Sequence, residues 1–360
     1  MTTKCEKFKK YDICDTAVKN KLGRCYYSSK EKLCKPINYN MDKPIKGYKY
    51  LIGPISYREY YSKEYNKHVI LIGDYHVIGD ICPDTSNKDN TINIFELLLM
   101  TFKNTNEKID FFIESAFQRK GYYTITKEKD SYLENINNLF QNCLRIDKKE
   151  CPLRDKVNFH YVDVRSHILL TAPDVAYVDP SQIQRYKLRV KQFSTLSETS
   201  EGFVNKIKEI YKIDRGLRYI EDEDIREVLS EYFDDAIETY YNNTIDSFKN
   251  ISNNIDDPEY DFSLDQKIIR SNSIYYTVIM DYYAMVRMFR YFNNDEKNTS
   301  RKIITYFGEA HNLRIGEFLE MFNFQLIRDI TGVTKEGVVG FQCLNIDGLE
   351  LPLFEGKIPE

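Results

Sequence analysis

Two segments far apart in the chain share an order of residue types that is suited to chemistry. Each is an apolar run followed by Gly, an acid, any residue and His: V-I-L-I-G-D-Y-H-V at 69–77 and I-I-T-Y-F-G-E-A-H-N at 303–312. Imidazole and carboxylate groups bind divalent cations and exchange protons near neutral pH. Five His occur in 360 residues, so the equivalent placement of His76 and His311 is the main functional signal.

The residues before each motif predict how these side chains are positioned. A short apolar run rich in Ile and Val is typical of a buried strand. The Gly permits a sharp turn or a close approach, and the acid and the His then follow the carboxyl end of the strand. Ligands bind at that edge of open α/β sheets. One shared site is therefore predicted, and two unrelated strand ends are the alternative.

A carboxylate at a third strand end completes a possible metal site. The strand predicted over residues 109–113 ends in Glu114. Two neutral imidazoles and a carboxylate are a usual ligand set for a catalytic divalent metal, so His76, Glu114 and His311 are the predicted ligands. Such a metal makes its bound water a nucleophile. A metal-free site, in which one His polarised by a carboxylate deprotonates water, is the alternative.

Three further charged residues at predicted strand ends have supporting roles. Asp74 and Glu309 are expected to orient a His through its second ring nitrogen or to act as general base. Arg165, which follows a strand predicted over 158–164, is expected to hold a carboxylate or a developing oxyanion. The alternative is that these charges only cap a polar sheet edge. The sequence contains no G-x-S-x-G, Walker or H-E-x-x-H motif.

The order of the predicted elements indicates an α/β fold. A strand over 67–73, a helix over 93–102 and the strand over 109–113 form a βαβ unit, which predicts a parallel pair. A further central strand is predicted over 302–307, and residues 47–62 are expected to form an edge hairpin. We therefore predict a mainly parallel central sheet built from two related βα halves, with a helical insertion and a small N-terminal Cys-rich module.

The predicted domains are a Cys-rich module over 1–40 and an α/β domain over 45–360, with the helical insertion at about 170–300. Within the insertion, helices are predicted over 225–248 and 264–292. The module contains four cysteines spaced C-x8-C-x10-C-x8-C: Cys5, Cys14, Cys25 and Cys34. Two disulfides, a zinc site of four thiolates and reduced cysteines in an arm are the alternatives.

The other cysteines lead to two simpler expectations. Cys143 and Cys151 lie at the two ends of a Lys-rich loop and are candidates for a disulfide. Cys82 and Cys343 are expected to be buried or unpaired. His160 alternates within a predicted strand and is expected to be a packed, hydrogen-bonded core residue.

Charge and hydropathy limit the partners of the protein. The formal net charge is −4 and the pI is near 5.9. The chain as a whole therefore lacks the excess of positive charge that is typical of nucleic-acid-binding proteins. No apolar stretch reaches the roughly 20 residues of a membrane span, and residues 1–20 do not read as a secretory signal. We therefore expect no nucleic-acid partner, no membrane span, and a location in the cytoplasm or in a particle assembled there.

The motif order resembles the superfamily that contains the TraB and Tiki proteins, erythromycin esterase and the ChaN haem-binding lipoprotein. The matching residues are G-D-Y-H at 73–76, Glu114, D-V-R at 163–165, M-V-R at 285–287 and G-E-A-H at 308–311. The likeness covers about residues 65–325 through short motifs. The Lys- and Asn-rich style with an N-terminal Cys module is also similar to uncharacterised proteins of large DNA viruses.

This resemblance implies a hydrolase of amide or ester bonds that acts on a small molecule or a peptide. In it, His76, Glu114 and His311 match the core positions, with Arg165 and Glu309 as supports. Tiki-like members imply help from a divalent metal such as Mn²⁺, Co²⁺ or Zn²⁺, and the esterase implies a His-activated water. Two alternatives are a catalytically silent viral protein associated with virion components and, as in ChaN, a binder of haem or another small ligand.

Overall fold

A computed structural model describes most of the chain. The described residues are 25–28, 33–36, 47–75, 90–116, 132–140, 143, 151–164, 190–191, 193–195, 198–257, 259–261, 263–290, 301–332 and 342–354, with the backbone alone at 25–28 and 33–36. The chain divides into two compact units: unit 1 is Met1–Tyr161 with Ser300–Glu360, and unit 2 is Val162–Thr299. Of the predicted site residues, His76 and Arg165 lie outside the described residues.

The secondary structure of the described residues alternates between strands and helices in unit 1 and is helical in most of unit 2. The strands are β1 (Cys25–Ser28), β2 (Leu33–Pro36), β3 (Tyr50–Ile52), β4 (Ser56–Ser62), β5 (Lys67–Asp74), β6 (Thr91–Asn93), β7 (Ile109–Ala116), β8 (Val157–Asp163), β9 (Lys302–Gly308), β10 (Gln325–Thr331) and β11 (Cys343–Asn345). The helices are α1 (Ile94–Asn104), α2 (Tyr132–Leu139), α3 (Ser200–Tyr211), α4 (Ile213–Leu217), α5 (Glu223–Asn254), α6 (Ser263–Ser271), α7 (Ser273–Phe289) and α8 (Glu309–Met321).

The larger sheet has six strands in the order β10-β4-β5-β9-β7-β8. Strands β5 and β7 both run parallel to β9, which lies between them. Strand β4 runs antiparallel to β5 and to β10. A second sheet has the order β11-β3-β6, and β1 pairs with β2. The predicted α/β class is confirmed, with a central sheet that is mixed.

Two predicted strand neighbours are wrong. Strands β5 and β7 of the βαβ unit are parallel as predicted, but β9 separates them. The segment 47–62 is not a hairpin, because β3 and β4 belong to different sheets. The physical reason is the same in both cases. A strand pattern reports which side chains are buried, and it does not identify the partner strand.

The core of unit 1 contains the apolar residues of the central strands and of α1. All eight residues of β5 are buried, as expected for a central strand covered on both faces. Helix α1 begins at its N-cap Asn93, whose side chain accepts a hydrogen bond from the Phe95 amide at 3.0 Å. On this core, Phe102 packs against Phe111 and Phe159, with ring centroids 5.2 and 5.8 Å apart. The sheet is therefore held on a densely packed aromatic base.

A disulfide lies in the same core. Cys143 and Cys151 are bonded to each other, and both are buried, so the predicted pair is confirmed. Cys343 is buried, as one of its two expectations stated, but it is also disulfide-bonded, so the other expectation, that it is unpaired, is wrong. Sequence spacing does not show which distant cysteines meet in the fold. The cross-linking of the N-terminal module stays open, because Cys5 and Cys14 lie outside the described residues and only the backbone of Cys25 and Cys34 is described.

Replacing Cys143 and Cys151 together by Ser is expected to lower the free energy of unfolding by about 2–3 kcal/mol. The disulfide closes a loop of sequence separation 8, and a short closed loop restricts the unfolded chain by about that amount. Urea unfolding of the two proteins measures the difference. Recovery of both residues as alkylated thiols from denatured, unreduced wild-type protein would contradict the cross-link.

Unit 2 is helical in nearly all of its described residues. The long helix α5 begins at Asp222, which accepts a hydrogen bond from the Ile225 amide at 2.9 Å. It extends beyond the predicted 225–248. The predicted helix 264–292 is two helices, α6 and α7, separated at Asn272. No helix among the described residues of either unit is sufficiently long and apolar to cross a membrane.

Candidate functional site

Three parallel strands of unit 1 end at one edge of the six-stranded sheet. In the register of β5 and β9, Gly73 pairs with Phe307 and Asp74 pairs with Gly308. Strand β7 is in register with β9 up to Ile113, opposite Tyr306, so Glu114 follows at the same edge. The two Gly-acid motifs therefore begin on adjacent strands, as one shared site requires.

Glu114 and His311 meet at this edge. Nε2 of His311 lies 3.5 Å from Oε1 of Glu114, and the two side chains are only 7% and 9% exposed. The amide of Gly308 donates a hydrogen bond to the other carboxylate oxygen of Glu114 at 2.7 Å. His311 reaches Glu114 because α8 begins at Glu309, directly after β9, and brings His311 into its first turn.

The second ring nitrogen of His311 has a partner that the sequence analysis did not identify. Arg314, one turn later on α8, places Nη2 3.1 Å from Nδ1 of His311. A guanidinium group has hydrogen-bond donors and no acceptor, so Nδ1 accepts. The spacing of three residues on a helix is the signal that could have found Arg314, because such residues are neighbours on one face.

Glu309, the acid of the second motif, is held by strand β4. Its Oε1 lies 2.8 Å from Nη2 of Arg58, and its Oε2 accepts a hydrogen bond from the Ser56 hydroxyl. Burial by itself lowers the pKa of Arg58. The hydrogen bond to Glu309 and the negative charges of Glu309 and Asp329 have the larger combined effect, so the pKa of Arg58 is raised. These contacts favour an anchoring role for Glu309 at the start of α8 over the predicted role as general base.

Gly73, the glycine of the first motif, makes room for this anchor. A Cβ atom at Gly73 would overlap both Oε2 of Glu309 and Oγ of Ser56. The first motif therefore needs glycine because the acid of the second motif occupies the space next to its backbone.

Asp74, the acid of the first motif, lies on the other face of the sheet. Successive strand residues point to opposite faces, and Gly73 faces Glu309. Asp74 instead accepts a hydrogen bond from Gln342 at 2.9 Å. Burial, followed by the charge of Asp74, raises the pKa of Tyr306 well above its ordinary value. Asp74 therefore does not orient His311, and His76, the other His that it was predicted to orient, lies outside the described residues.

The two motifs differ because one continues a strand and the other starts a helix. Asp74 is the last residue of β5, whereas Glu309 is the first residue of α8. The same position after Gly thus sends the two acids to different faces. Arg58 and Ser56 were missed by the sequence analysis, although polar residues alternating with Tyr in β4 were a usable signal.

Two of the three predicted metal ligands, Glu114 and His311, are adjacent, and the third, His76, lies outside the described residues; the contact of His311 with Arg314 disfavours binding of a metal by Nε2. Donor atoms 3.5 Å apart could share one cation, but a His that binds a metal through Nε2 carries its proton on Nδ1. Arg314 donates to Nδ1, so that proton is excluded in this arrangement. Among the residues that the structure describes, no group of three or more His, Cys, Asp or Glu side chains is arranged to hold a metal ion.

A separate polar cluster lies near the start of these strands. Asp110 accepts a hydrogen bond from Asn158 at 2.8 Å and contacts His160 at 3.0 Å. His160 is buried and stacks on Phe112, in agreement with its predicted structural role. Burial lowers the pKa of Lys67 to about 8, and the charge of Asp110 opposes that shift.

Lys67 is expected to make stability rise with pH between about 7.5 and 9.5, by about 2 kcal/mol. Its pKa is lower in the folded protein than in the unfolded chain, so the unfolded chain binds more protons in this window. Urea unfolding at both pH values should show the rise in wild type and lose it in Lys67→Met. Lys63→Met, at an exposed position, is the control. An unchanged rise in Lys67→Met would contradict the assignment.

The upper limit of that pH window comes from buried tyrosines. Burial raises the pKa of Tyr240 and, together with Glu320, that of Tyr60. Unfolding exposes these phenols and lets them ionise nearer to their ordinary pKa of about 10. Stability should therefore fall again as the pH rises above about 10.

Comparisons of the chain with protein-family models, with curated proteins and with solved structures give no match.

Proposed function

We propose that the protein is a hydrolase of amide or ester bonds whose site is the Glu114–His311 pair. The observation that carries the proposal is the meeting of these two buried side chains, with Nε2 and Oε1 3.5 Å apart. They lie at the carboxyl edge of parallel strands, where α/β sheets bind ligands. A carboxylate beside an imidazole is also the combination that general acid–base catalysis of hydrolysis requires.

In the proposed reaction, water attacks the carbonyl carbon of the substrate while Glu114 takes a proton from that water. The bond between the carbonyl carbon and the leaving oxygen or nitrogen then breaks, and the leaving group takes the proton that Glu114 had accepted, which regenerates the carboxylate. The amide of Gly308 holds the Glu114 carboxylate at 2.7 Å, and α8 holds His311 beside it. This scheme needs no metal, but it differs from the metal-free alternative of the sequence analysis, because the carboxylate and not the imidazole takes the proton from water.

The relationship to the TraB, Tiki, erythromycin esterase and ChaN superfamily is part of the proposal. Its support is the adjacent placement of Gly73 and Gly308 motif strands and the contact between Glu114 and His311. The proposed relationship includes an α/β domain built from two related βα halves and an N-terminal Cys-rich module. Assistance by Mn²⁺, Co²⁺ or Zn²⁺ would require Arg314 to leave Nδ1 of His311.

An activity screen of the full-length protein tests the proposal. Chelator-treated protein is assayed on nitrophenyl esters, lactones and chromogenic peptides, alone and after addition of Mn²⁺, Co²⁺ or Zn²⁺. Turnover without metal is expected. Turnover that depends on an added metal would support the hydrolase function but contradict the metal-free mechanism. Absence of turnover across the panel, in every metal arm, would overturn the proposed function.

A further inference from the structure

The contact between Arg314 and His311 determines which nitrogen of the imidazole carries the proton. Arg314 is half-buried on α8, and its Nη2 lies 3.1 Å from Nδ1 of His311. All polar hydrogens of a guanidinium are donors, and the group stays charged at any ordinary pH. Nδ1 must therefore present a lone pair to Arg314. A neutral imidazole has one N–H, so this N–H is on Nε2.

The Nε2–H of His311 faces the carboxylate of Glu114. Nε2 is 3.5 Å from Oε1, and Oε2 of the same carboxylate accepts the Gly308 amide. A carboxylate accepts and does not donate when it is ionised. The pair thus combines an imidazole that donates a hydrogen bond with a carboxylate that can take a proton.

We infer that Arg314 is a positioning residue that keeps His311 as a hydrogen-bond donor through Nε2–H and leaves the role of base to Glu114. The inference rests on the proposed function for the identity of the reaction, but the tautomer itself is a property of the folded protein. It reverses the sequence-based expectation that His311 acts as a metal ligand or deprotonates water. A cation on Nε2 would need the other tautomer, since it would bind through the Nε2 lone pair.

The test is nitrogen NMR of the full-length chain with ¹⁵N-labelled His, at about pH 8, where an ordinary imidazole is neutral. His311→Gln identifies the His311 signals among those of the five His. Wild-type protein is expected to show His311 protonated on Nε2. Arg314→Met should shift the ratio of the two tautomers toward Nδ1–H by about tenfold, because one charge-assisted hydrogen bond is lost. Arg314→Lys, which keeps a donor, should restore the wild-type ratio.

The outcomes separate this inference from the proposed function. A wild-type spectrum with the His311 proton on Nδ1 overturns the inference even if the protein hydrolyses esters. The same holds if Arg314→Met leaves the ratio unchanged. If the spectra are as expected but the protein shows no turnover on the substrate panel, the proposed hydrolase function is rejected. The inference that Arg314 controls the tautomer of His311 is then retained. Should Arg314→Met fail to fold, wild type and Arg314→Lys still decide, because both must show Nε2–H.

Discussion

Glu114→Gln is expected to reduce hydrolytic turnover by about 10²- to 10⁴-fold, the usual contribution of a general base. An amide cannot accept a proton from water, although its oxygen can still accept the hydrogen bond from the Gly308 amide that Glu114 accepts at 2.7 Å. The value of kcat/KM on the substrate found in the activity screen measures the loss. Thermal unfolding should show that the variant remains folded, because at most one hydrogen bond, worth about 1 kcal/mol, is changed.

A matched control for this substitution is available on the same helix that carries His311. Glu317→Gln makes the same chemical change at an exposed position of α8, so kcat/KM should stay at the wild-type value. Equal activity of Glu114→Gln and Glu317→Gln would remove Glu114 from the mechanism. Loss of activity in both would point to a general effect of charge on the protein.

Gly73→Ala is expected to lower the free energy of unfolding by about 3 kcal/mol, at the upper end for overpacking. The added methyl group would overlap Oε2 of Glu309 and Oγ of Ser56. Arg58 restrains both groups, because it holds the Glu309 carboxylate at 2.8 Å and donates a hydrogen bond to the Ser56 hydroxyl at 3.4 Å. Urea unfolding measures the loss, and turnover should fall with it, since Glu309 is the first residue of the helix that carries His311.

A double-mutant cycle tests the cause of that loss. If the methyl group collides with the carboxylate, Glu309→Ala should relieve part of the damage, with a coupling free energy of about 1–3 kcal/mol between the two sites. Gly73→Ala combined with Glu317→Ala should be additive, because Glu317 is exposed on α8. Additivity in both pairs would show that Gly73 and Glu309 do not share the space between the motifs.

Many of the strands could be predicted because buried strands have a local pattern of apolar residues in the sequence. The strands predicted over 67–73 and 302–307 are present as Lys67–Asp74 and Lys302–Gly308. Their Ile- and Val-rich runs indicate strands buried on both faces wherever their partners lie. The position of Glu114 followed from the same local pattern. The neighbours of each strand did not, because pairing joins segments that are far apart in sequence.

The partners of the site residues were the part that sequence reasoning missed. Arg58 contributes to the site only because β4 pairs with β5, which sets Arg58 opposite Leu71 on the face toward α8. Asp74 and Glu309 occupy the same slot in two similar motifs, yet they lie on opposite faces of the sheet. The difference arises at the acid itself, because Glu309 is the first residue of a helix and Asp74 is the last residue of a strand.

The amino-acid sequence by itself determined where the buried strands run, that two of them end in Gly, an acid and His, and that Glu114 follows the apolar run of a third, which the structure extends to Ala116. These are local properties of residue type and spacing. Only the tertiary structure decided that Glu114 contacts His311, that Arg58 holds Glu309 and that Asp74 turns away. Such choices depend on strand order, register and the start of α8, which bring together atoms separated by up to 268 positions.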